Sequence, residues 1–399
     1  MPRTDLFAKT ERPAIALDSG SSSIKIGFCG EETPRAVVPT TGLEEANGAV
    51  PLKAGVVQDW EAMEVYWDHA FTHALGIDTE ACHVITTAHL FETKLNKERM
   101  AQSLFESFAV AGVFLSAPPV FELYAAGKES GVVLGCGAEC TYAVLLHEGL
   151  PDPRTVLRGS VAGQQLTAHA ATVLEPASLP AESAEAAKRA VGAVSAAAGG
   201  AADAPCSFEL PDGRSIEVSA SARAAIAEPL FEPSRVGGTS GGLAELVADC
   251  IREIQPRYSR DTAERDSSRD VAPPRRLAAC ADASASPAAA PRRLSGARDR
   301  DGVLESTVHG RDGTGAWYGQ VVLAGGTSTL PGLPERLSAE LTRYAPHDSP
   351  AKVTALEGRE HAAWLGASIL GSLGVMPPMW VSKQEYDENG PLIVHRKCF

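Results

Sequence analysis

Residues 14–30 read AIALDSGSSSIKIGFCG, an apolar run, a polar turn and a second run in which apolar and other residues alternate. This pattern predicts a strand, a tight turn and a strand. Gly20 and small hydroxyl residues leave backbone N–H groups open to an anion, Lys25 adds positive charge, and Asp18 can hold a hydrated Mg²⁺. The stretch therefore predicts either a phosphate-binding hairpin or an ordinary β-hairpin with a Ser/Gly turn.

Composition excludes several classes of function. The chain has 399 residues, enough for roughly two or three domains, and its net charge of −14 argues against direct nucleic-acid binding. Its eight cysteines lack the paired CxxC spacing of zinc sites, so we expect thiols in a reducing compartment. The first residues, MPRTDLFAKTERP, lack the apolar core of a secretory signal, and no run approaches the length of a membrane span.

Two further glycine-rich loops follow apolar strands. Residues 131–146 (GVVLGCGAECTYAVLL) repeat the pattern of the first hairpin, which indicates an internal duplication with one phosphate-facing turn in each half. Residues 324–332 (AGGTSTLPG) form a third loop after the apolar run 321–323. The chain thus predicts three glycine-rich loops at strand ends.

Helical and irregular segments separate these loops. Apolar residues at helical spacing predict an amphipathic helix that ends near Leu75, and Asn96 is the predicted N-cap of a helix over 97–108. The alanine-rich residues 180–202 are predicted to be helical. Residues 259–302 contain almost only Arg, Asp, Ala, Ser and Pro, which predicts a disordered insertion because little apolar surface is available to offset ordering.

These loops and the C-terminal residues 379–399 resemble the actin and actin-related protein family. Similar stretches follow the family's order at 17–39, 55–71, 122–133, 161–170, 209–218 and 321–337. The resemblance implies an α/β, actin-like ATPase fold, with two duplicated ribonuclease-H-like domains around a nucleotide cleft. The implied domains are 1–125, with a C-terminal part at about 356–399, and 126–355, which carries the insertion at 259–302.

The resemblance also implies ATP or ADP with Mg between two phosphate hairpins and a Gly-Gly-Thr loop. Asp18 would reach the metal through water. The cofactor-binding residues carried over by position are Asp18, Ser19, Gly20, Ser21, Ser22, Lys25, Gly137, Gly163, Gly325, Gly326 and Thr327. Retention of the nucleotide is left open by the substitutions that follow.

Positions that serve hydrolysis in the family are replaced here. Gly135 and Ala138 stand in place of two acids of the second hairpin, and Pro118 in place of a water-positioning glutamine. Glu139 occupies the place of a glycine that lets the backbone close on phosphate. Because phosphoryl transfer depends on positioning and electrostatics, we expect little or no ATP hydrolysis and assign no catalytic residue.

The adenosine side and the small subdomain also depart from the family. Lys188 is the candidate for a basic residue near the ribose, whereas Glu360 reverses the charge of a family lysine. Residues 40–54 are all that remains of a subdomain whose loop contacts the next filament subunit. A conventional homopolymer is therefore not expected.

A groove for protein partners is implied at the family's barbed end. Such a groove would receive an amphipathic helix, although the same residues would also suit hinge packing. Its lining maps onto Tyr124, Gly127, Leu370, Leu373, Val375 and Met379.

The function implied is that of a divergent actin-like protein, a cytoskeletal or complex-scaffolding subunit. Its partners would be proteins, including actin or an actin-related complex. We expect a cytoplasmic, cytoskeletal location, with the nucleus as the alternative. Two other functions stay open: a nucleotide-switching ATPase that forms filaments of altered geometry, and a nuclear actin-related subunit of a chromatin remodeller.

Overall fold

Two mixed sheets form the framework of the protein in a computed structural model. The structure describes residues 12–174, 181–202, 204–210, 213, 215–254 and 315–398. The prediction of a disordered insertion at 259–302 lies outside these residues. Strands, numbered along the chain, are β1 (Ala14–Ser19), β2 (Ser23–Phe28), β3 (Ala36–Pro39), β4 (Leu52–Lys53), β5 (Val56–Val57), β6 (His83–Thr87), β7 (Gly112–Ser116), β8 (Gly131–Cys136), β9 (Thr141–His147), β10 (Leu150–Pro151), β11 (Leu157–Gly159), β12 (Cys206–Glu209), β13 (Ser215–Val218), β14 (Val321–Ala324), β15 (Val353–Ala355) and β16 (Val381–Ser382).

The two large sheets share one topology. In the first, with order β16-β7-β6-β1-β2-β3, the antiparallel hairpin β1–β2 is followed by β6 and β7, which run parallel to β1. In the second, the antiparallel hairpin β8–β9 is followed by β14 and β15, which run parallel to β8. A further strand in each half, β3 in the first and β11 in the second, pairs antiparallel with the second strand of its hairpin. This repeated arrangement confirms the duplicated α/β fold.

Helices cover these sheets and join them. They are α1 (Trp60–Asp68), α2 (Lys94–Gln102), α3 (Pro118–Ala125), α4 (Gly163–Val173), α5 (Ala181–Val191), α6 (Ala220–Ala227), α7 (Leu243–Arg252), α8 (Gly315–Tyr318), α9 (Leu333–Leu341), α10 (Ala362–Gly371), α11 (Lys383–Asn389) and α12 (Val394–Lys397). Helix α10 packs on β1 and β6, α3 packs on β8 and β14, and the two helices pack against each other. The indole Nε1 of Trp364 donates to the Ala16 carbonyl at 3.0 Å, which fixes α10 on the first sheet.

Separate apolar clusters lie beside the two sheets. Ile15, Leu17 and Trp67 are fully buried in the first cluster, and Val132 and Leu323 in the second. Burial of such side chains contributes about 1.5–3 kcal/mol each. Within the described residues no helix is long and apolar enough to cross a membrane. The seven cysteines of that part are free thiols, as expected from their spacing.

Two helix boundaries differ from the predictions. The predicted N-cap Asn96 lies inside α2, because the hydroxyl of Thr93 accepts the Asn96 N–H at 3.0 Å and begins the helix three residues earlier. The Asn96 amide instead donates to the Val57 carbonyl at 3.1 Å. The helix predicted over 180–202 ends at Val191, since the chain then turns away and the Val194 N–H donates to the Pro331 carbonyl.

The helix predicted up to Leu75 is confirmed, with a change of type. Asp59 caps α1 by accepting the Ala62 N–H at 3.0 Å. The chain continues as a π-helix over His69–Leu75 and ends at Gly76, whose φ of 67° closes the turn. Residues 208–218 (FELPDGRSIEV) also predict a hairpin with its turn at Asp212-Gly213. Strands β12 and β13 pair antiparallel, and residues 211, 212 and 214 lie outside the described residues.

Candidate functional site

The first hairpin places Asp18 opposite Lys25. The antiparallel register of β1 and β2 pairs the two residues, and the Lys25 ammonium lies 3.1 Å from Asp18 Oδ2. Asp18 Oδ1 accepts a hydrogen bond from Thr87 Oγ1 at 3.0 Å, so both oxygens have partners. Where the structure describes the chain, no group of three or more His, Cys, Asp or Glu residues is placed to hold a metal ion. A water-mediated Mg²⁺ at Asp18 stays a prediction.

The turn of this hairpin is anchored by its own side chains. Ser19 Oγ accepts a hydrogen bond from the Trp67 indole at 3.0 Å. The Gly20 N–H donates to the Ser23 carbonyl at 3.1 Å, and Gly20 lies against the Lys25 ammonium. The Trp67 bond fixes the turn to α1, and the Lys25 ammonium lies next to Gly20 of the turn.

The serines at the tip of the turn bind the residues around β4 and β5. Ser21 Oγ accepts the Gly55 N–H at 2.9 Å, and its carbonyl accepts the Thr40 hydroxyl at 2.7 Å. The Ser22 carbonyl accepts the Thr40 N–H at 3.2 Å. The Ser21 hydroxyl, a group expected to face a phosphate, is therefore engaged within the first half of the chain.

The second hairpin meets α4 and the Gly-Gly-Thr loop. The Gly137 carbonyl accepts the Gly163 N–H at 3.0 Å and the Thr327 hydroxyl at 2.7 Å. A Cβ on Gly163 would lie 2.5 Å from Thr327 Oγ1, so only glycine permits this approach. Gly137, Gly163 and Thr327 are thus brought together from three separate stretches of sequence.

Arg359, which the sequence did not single out, holds the Gly-Gly-Thr loop. Its carbonyl accepts the Gly325 N–H at 3.0 Å, and its guanidinium donates to the Ser328 carbonyl at 2.8 Å. Gly325 has a φ of 91°, a conformation that favours glycine. Glu360 lies beside Gly326, so a negative charge stands at this loop.

Lys188 lies next to Gly163. Its ammonium donates to the Gly163 carbonyl at 3.0 Å, to Thr167 Oγ1 at 2.9 Å and to Glu185 Oε2 at 2.6 Å. These contacts use all three donors of the ammonium group. Burial lowers the pKa of Lys188, and the hydrogen bond with Glu185 opposes that shift. Glu185 was missed from the sequence because its pairing depends on the approach of α5 to α4.

Tyr142 fills the space beside Gly135. The two residues lie opposite each other on β8 and β9, and a Cβ on Gly135 would come within 2.6 Å of the Tyr142 hydroxyl oxygen. That hydroxyl donates to Glu122 Oε2 at 2.8 Å, and both side chains are buried. The place where the family carries an acid thus holds an aromatic ring.

The pKa values of Tyr142 and Glu122 are both raised. Burial raises the pKa of Glu122 to about 7, while the hydrogen bond from Tyr142 lowers it in part. Burial and the nearby Glu122 carboxyl raise the pKa of Tyr142 well above its usual range. Pro118, at the start of the same helix as Glu122, is buried and has no hydrogen-bonding group on its side chain or nitrogen.

Glu139 reaches across the cleft. Its Oε2 accepts the Ala54 N–H at 2.6 Å, which joins the second hairpin to the residue before Gly55. Ala138, the preceding residue, has no polar side chain, and its carbonyl accepts the Gln164 N–H at 2.6 Å. The position of the family's glycine is therefore occupied by a carboxylate with a partner on the other half of the chain.

Two ring contacts accompany this bond. The imidazole of His89, after β6, lies edge-on to Tyr142 with ring centroids 5.6 Å apart. The Arg158 guanidinium lies 5.4 Å from the centroid of the Phe91 ring. Desolvation, with a contribution from Arg158, lowers the pKa of His89 to about 4, so its ring is neutral near pH 7.

The phosphate end of this cleft does not fit a magnesium triphosphate. The Glu139 carboxylate stands between the hairpins and would repel phosphate oxygens. Both oxygens of Asp18 have protein partners, and the nearest acids to Gly135 and Ala138, Glu122 and Glu139, are bonded to the Tyr142 hydroxyl and the Ala54 N–H. The glycine-lined adenosine end has kept its close contacts, whereas the phosphate end has not kept the charges that a metal requires.

The groove residues divide between surface and core. Leu373 and Val375 are 46% and 62% exposed, Gly127 is exposed, and Met379 is half-buried. Tyr124 is half-buried with its hydroxyl against Gly149. Leu370 is 8% exposed and packs in the cluster around Trp364, which favours the hinge-packing alternative for this residue. Its neighbour Ile369, 38% exposed, was missed, and only the rotation of α10 distinguishes the two.

Comparison with protein families shows which family the chain resembles. The model of the actin family matches residues 42–188 and 314–399, more than half of the chain. The matched ranges contain the substituted second hairpin, the Gly-Gly-Thr loop and the groove residues, and the mixed sheets agree with the fold of that family. Members of this family generally bind a nucleotide with Mg. The chain belongs to the actin family.

Proposed function

We propose that this chain is a structural subunit of the actin family that does not hydrolyse ATP. The observation that carries the proposal is the ring of Tyr142, which fills the space next to Gly135 where the family places an acid. An attacking water and a metal-bound water both need polar groups at that position. The described contacts supply a buried tyrosine and a carboxyl with raised pKa there instead.

Loss of hydrolysis is supported by the surrounding residues. Pro118 offers no group that orients a water molecule, and Glu139 brings negative charge close to the expected phosphates. Each lost electrostatic contact typically slows such a reaction by about 10² or more. With several of these groups replaced in one site, the fold can still bind protein partners but does not pass through a cycle of ATP hydrolysis.

A phosphate-release assay tests this proposal. Purified chain is incubated with Mg-ATP beside an equal concentration of actin. We expect release to be at least about a hundredfold slower than that of actin. Release at the rate of actin would refute the proposal.

The proposed role is to bind protein partners through a groove formed by Tyr124, Gly127, Ile369, Leu373, Val375 and Met379. Exposed apolar side chains at helical or near-helical spacing suit an amphipathic helix from a partner. Leu373 is the central anchor, since it is exposed and directly follows α10. We place this subunit in a cytoskeletal assembly of the cytoplasm.

Affinity capture from native extract tests the groove. We expect the unmodified chain to retain partners that Leu373→Asp loses and that Leu95→Asp keeps, because Leu95 is 72% exposed on α2, another surface. Recovery of actin-related cytoskeletal subunits supports the proposal. Recovery of chromatin-remodelling subunits supports the nuclear alternative, and equal capture by all three proteins contradicts a role for the groove.

A further inference from the structure

Glu139 joins the two halves of the chain directly. It belongs to the turn of the second hairpin, and its acceptor bond from Ala54 spans 85 positions of sequence. We propose that the Glu139 carboxylate is a built-in latch that holds the cleft closed in place of a nucleotide. This inference concerns the resting conformation and stands independently of the rate of hydrolysis.

The bond is continuous with the first hairpin. The Ala54 N–H donates to Glu139 at 2.6 Å, and the next N–H, of Gly55, donates to Ser21 Oγ at 2.9 Å. Ala54 has a φ of 53° and Gly55 a φ of 82°, so this short turn points two successive N–H groups at oxygens. Successive N–H groups of this kind form an anion-binding concavity. In this chain both N–H groups already bond side-chain oxygens, and one of these oxygens belongs to a carboxylate.

Aromatic contacts support the closed arrangement. Gly55 lies against His89, where a Cβ would come within 2.8 Å of the ring Cγ. His89 in turn contacts Tyr142 of the second sheet, and Arg158 contacts Phe91 of the first half. The latch therefore has one polar contact and two ring contacts, all between residues before 92 and residues after 138.

A carboxylate suits this position better than a neutral side chain. A hydrogen bond from a backbone N–H to a charged acceptor is stronger than one to a neutral acceptor. Glu139 and Arg158 also line the same cavity of about 370 Å³, so a positive charge lies along the cavity that this carboxylate borders. A bound triphosphate would have to displace this carboxylate before it could reach the Ala54 N–H.

Amide hydrogen exchange of the ligand-free protein tests the latch at the Ala54 and Gly55 amides. In the unmodified chain we expect slow exchange at both amides without nucleotide. In Glu139→Gly, which restores the family's glycine, exchange should rise by about tenfold or more, as expected for a lost charged acceptor. The control is Glu148→Gly, because Glu148 is an exposed glutamate at the other end of β9, away from the turn that carries Glu139.

A second set of amides and a second variant distinguish exchange through local opening of the latch from exchange through global unfolding. Amides of β14 should exchange equally slowly in all proteins, since they lie in the middle of the second sheet. Glu139→Gln keeps a neutral acceptor, so its exchange rate at Ala54 should lie between the rates of the unmodified chain and of Glu139→Gly. The proposal is overturned by unchanged exchange at Ala54 in Glu139→Gly, by an equal rise in Glu148→Gly, or by a rise at β14 that matches the rise at Ala54.

Discussion

The hydroxyl of Tyr142 lies within 2.6 Å of the point where Gly135 would carry a Cβ, so these cross-strand neighbours share one space. One residue of the pair must be glycine for the other to be tyrosine. The same ring donates to Glu122 and contacts His89. The loss of an acid at Gly135 is thus connected to the position of the Tyr142 ring, which occupies the space beside this glycine.

Restoring the acid alone should damage the protein. We expect Gly135→Asp to lower the free energy of unfolding by about 3 kcal/mol or more, because it overpacks Tyr142 and buries a charge without a partner. The measurement is urea unfolding beside Gly374→Asp, where a Cβ meets nothing within 4 Å. A Gly135→Asp protein as stable as this control would contradict the assignment of that space to Tyr142.

The raised pKa of Glu122 gives a pH dependence of stability. Its pKa is about 7 in the folded protein against an ordinary value of 4.5, so the folded state binds the proton more tightly. The stability contributed by protonated Glu122 is present below the unfolded value and is lost as pH rises through about 7. The free energy of unfolding of Glu122→Gln, measured relative to that of the unmodified chain, should therefore rise by up to about 3 kcal/mol between about pH 5 and about pH 8.

Unfolding of both chains across this range checks that result. Groups that titrate in both proteins cancel in the difference, and glutamine can keep a hydrogen bond with Tyr142. A stability difference that does not change with pH would show that Glu122 does not titrate in this interval.

Thr327 should contribute through its hydroxyl. We expect Thr327→Val to cost about 1 kcal/mol, since the Gly137 carbonyl loses one of two donors while the volume is kept. Thr329→Val is the control, because Thr329 is exposed and bonds only its own loop at Gly326. Equal thermal shifts in the two variants would argue against the closure of the loop on the second hairpin.

Sedimentation under polymerising salt should leave the chain in the supernatant. Residues 40–54 hold only the 3-10 turn Glu44–Ala46 and the two residues of β4, and the Thr40 hydroxyl is used by Ser21. Little chain is left to reach a neighbouring subunit. A pellet with helical filaments by microscopy would overturn this expectation.

The sequence predicted those features that arise from local pattern. Alternating apolar residues around glycine-rich turns located both hairpins, and the apolar run before Gly325 located β14. Sequence patterns did not locate the start of α2, because two nearby residues could each serve as its N-cap. Thr93 and Asn96 are both good caps three residues apart, and only the packing of Asn96 on Val57 decides which one begins α2.

Side-chain partners across the cleft were beyond sequence reasoning. Glu139 was recognised as misplaced for a phosphate, but its partner is a backbone N–H 85 positions away in an irregular segment. Likewise, the roles of Tyr142 and Glu122 follow from the close contact of α3 with the second sheet. Such contacts depend on tertiary packing, which cannot be predicted from the type and spacing of the residues.

Titration calorimetry with Mg-ATP tests whether side chains have replaced the nucleotide at the phosphate end. We expect no saturable heat for the unmodified chain up to about 1 mM ligand, because Glu139 already holds the Ala54 N–H. Saturable binding with a Kd of about 1 μM, unchanged in Glu139→Gly, would contradict the account.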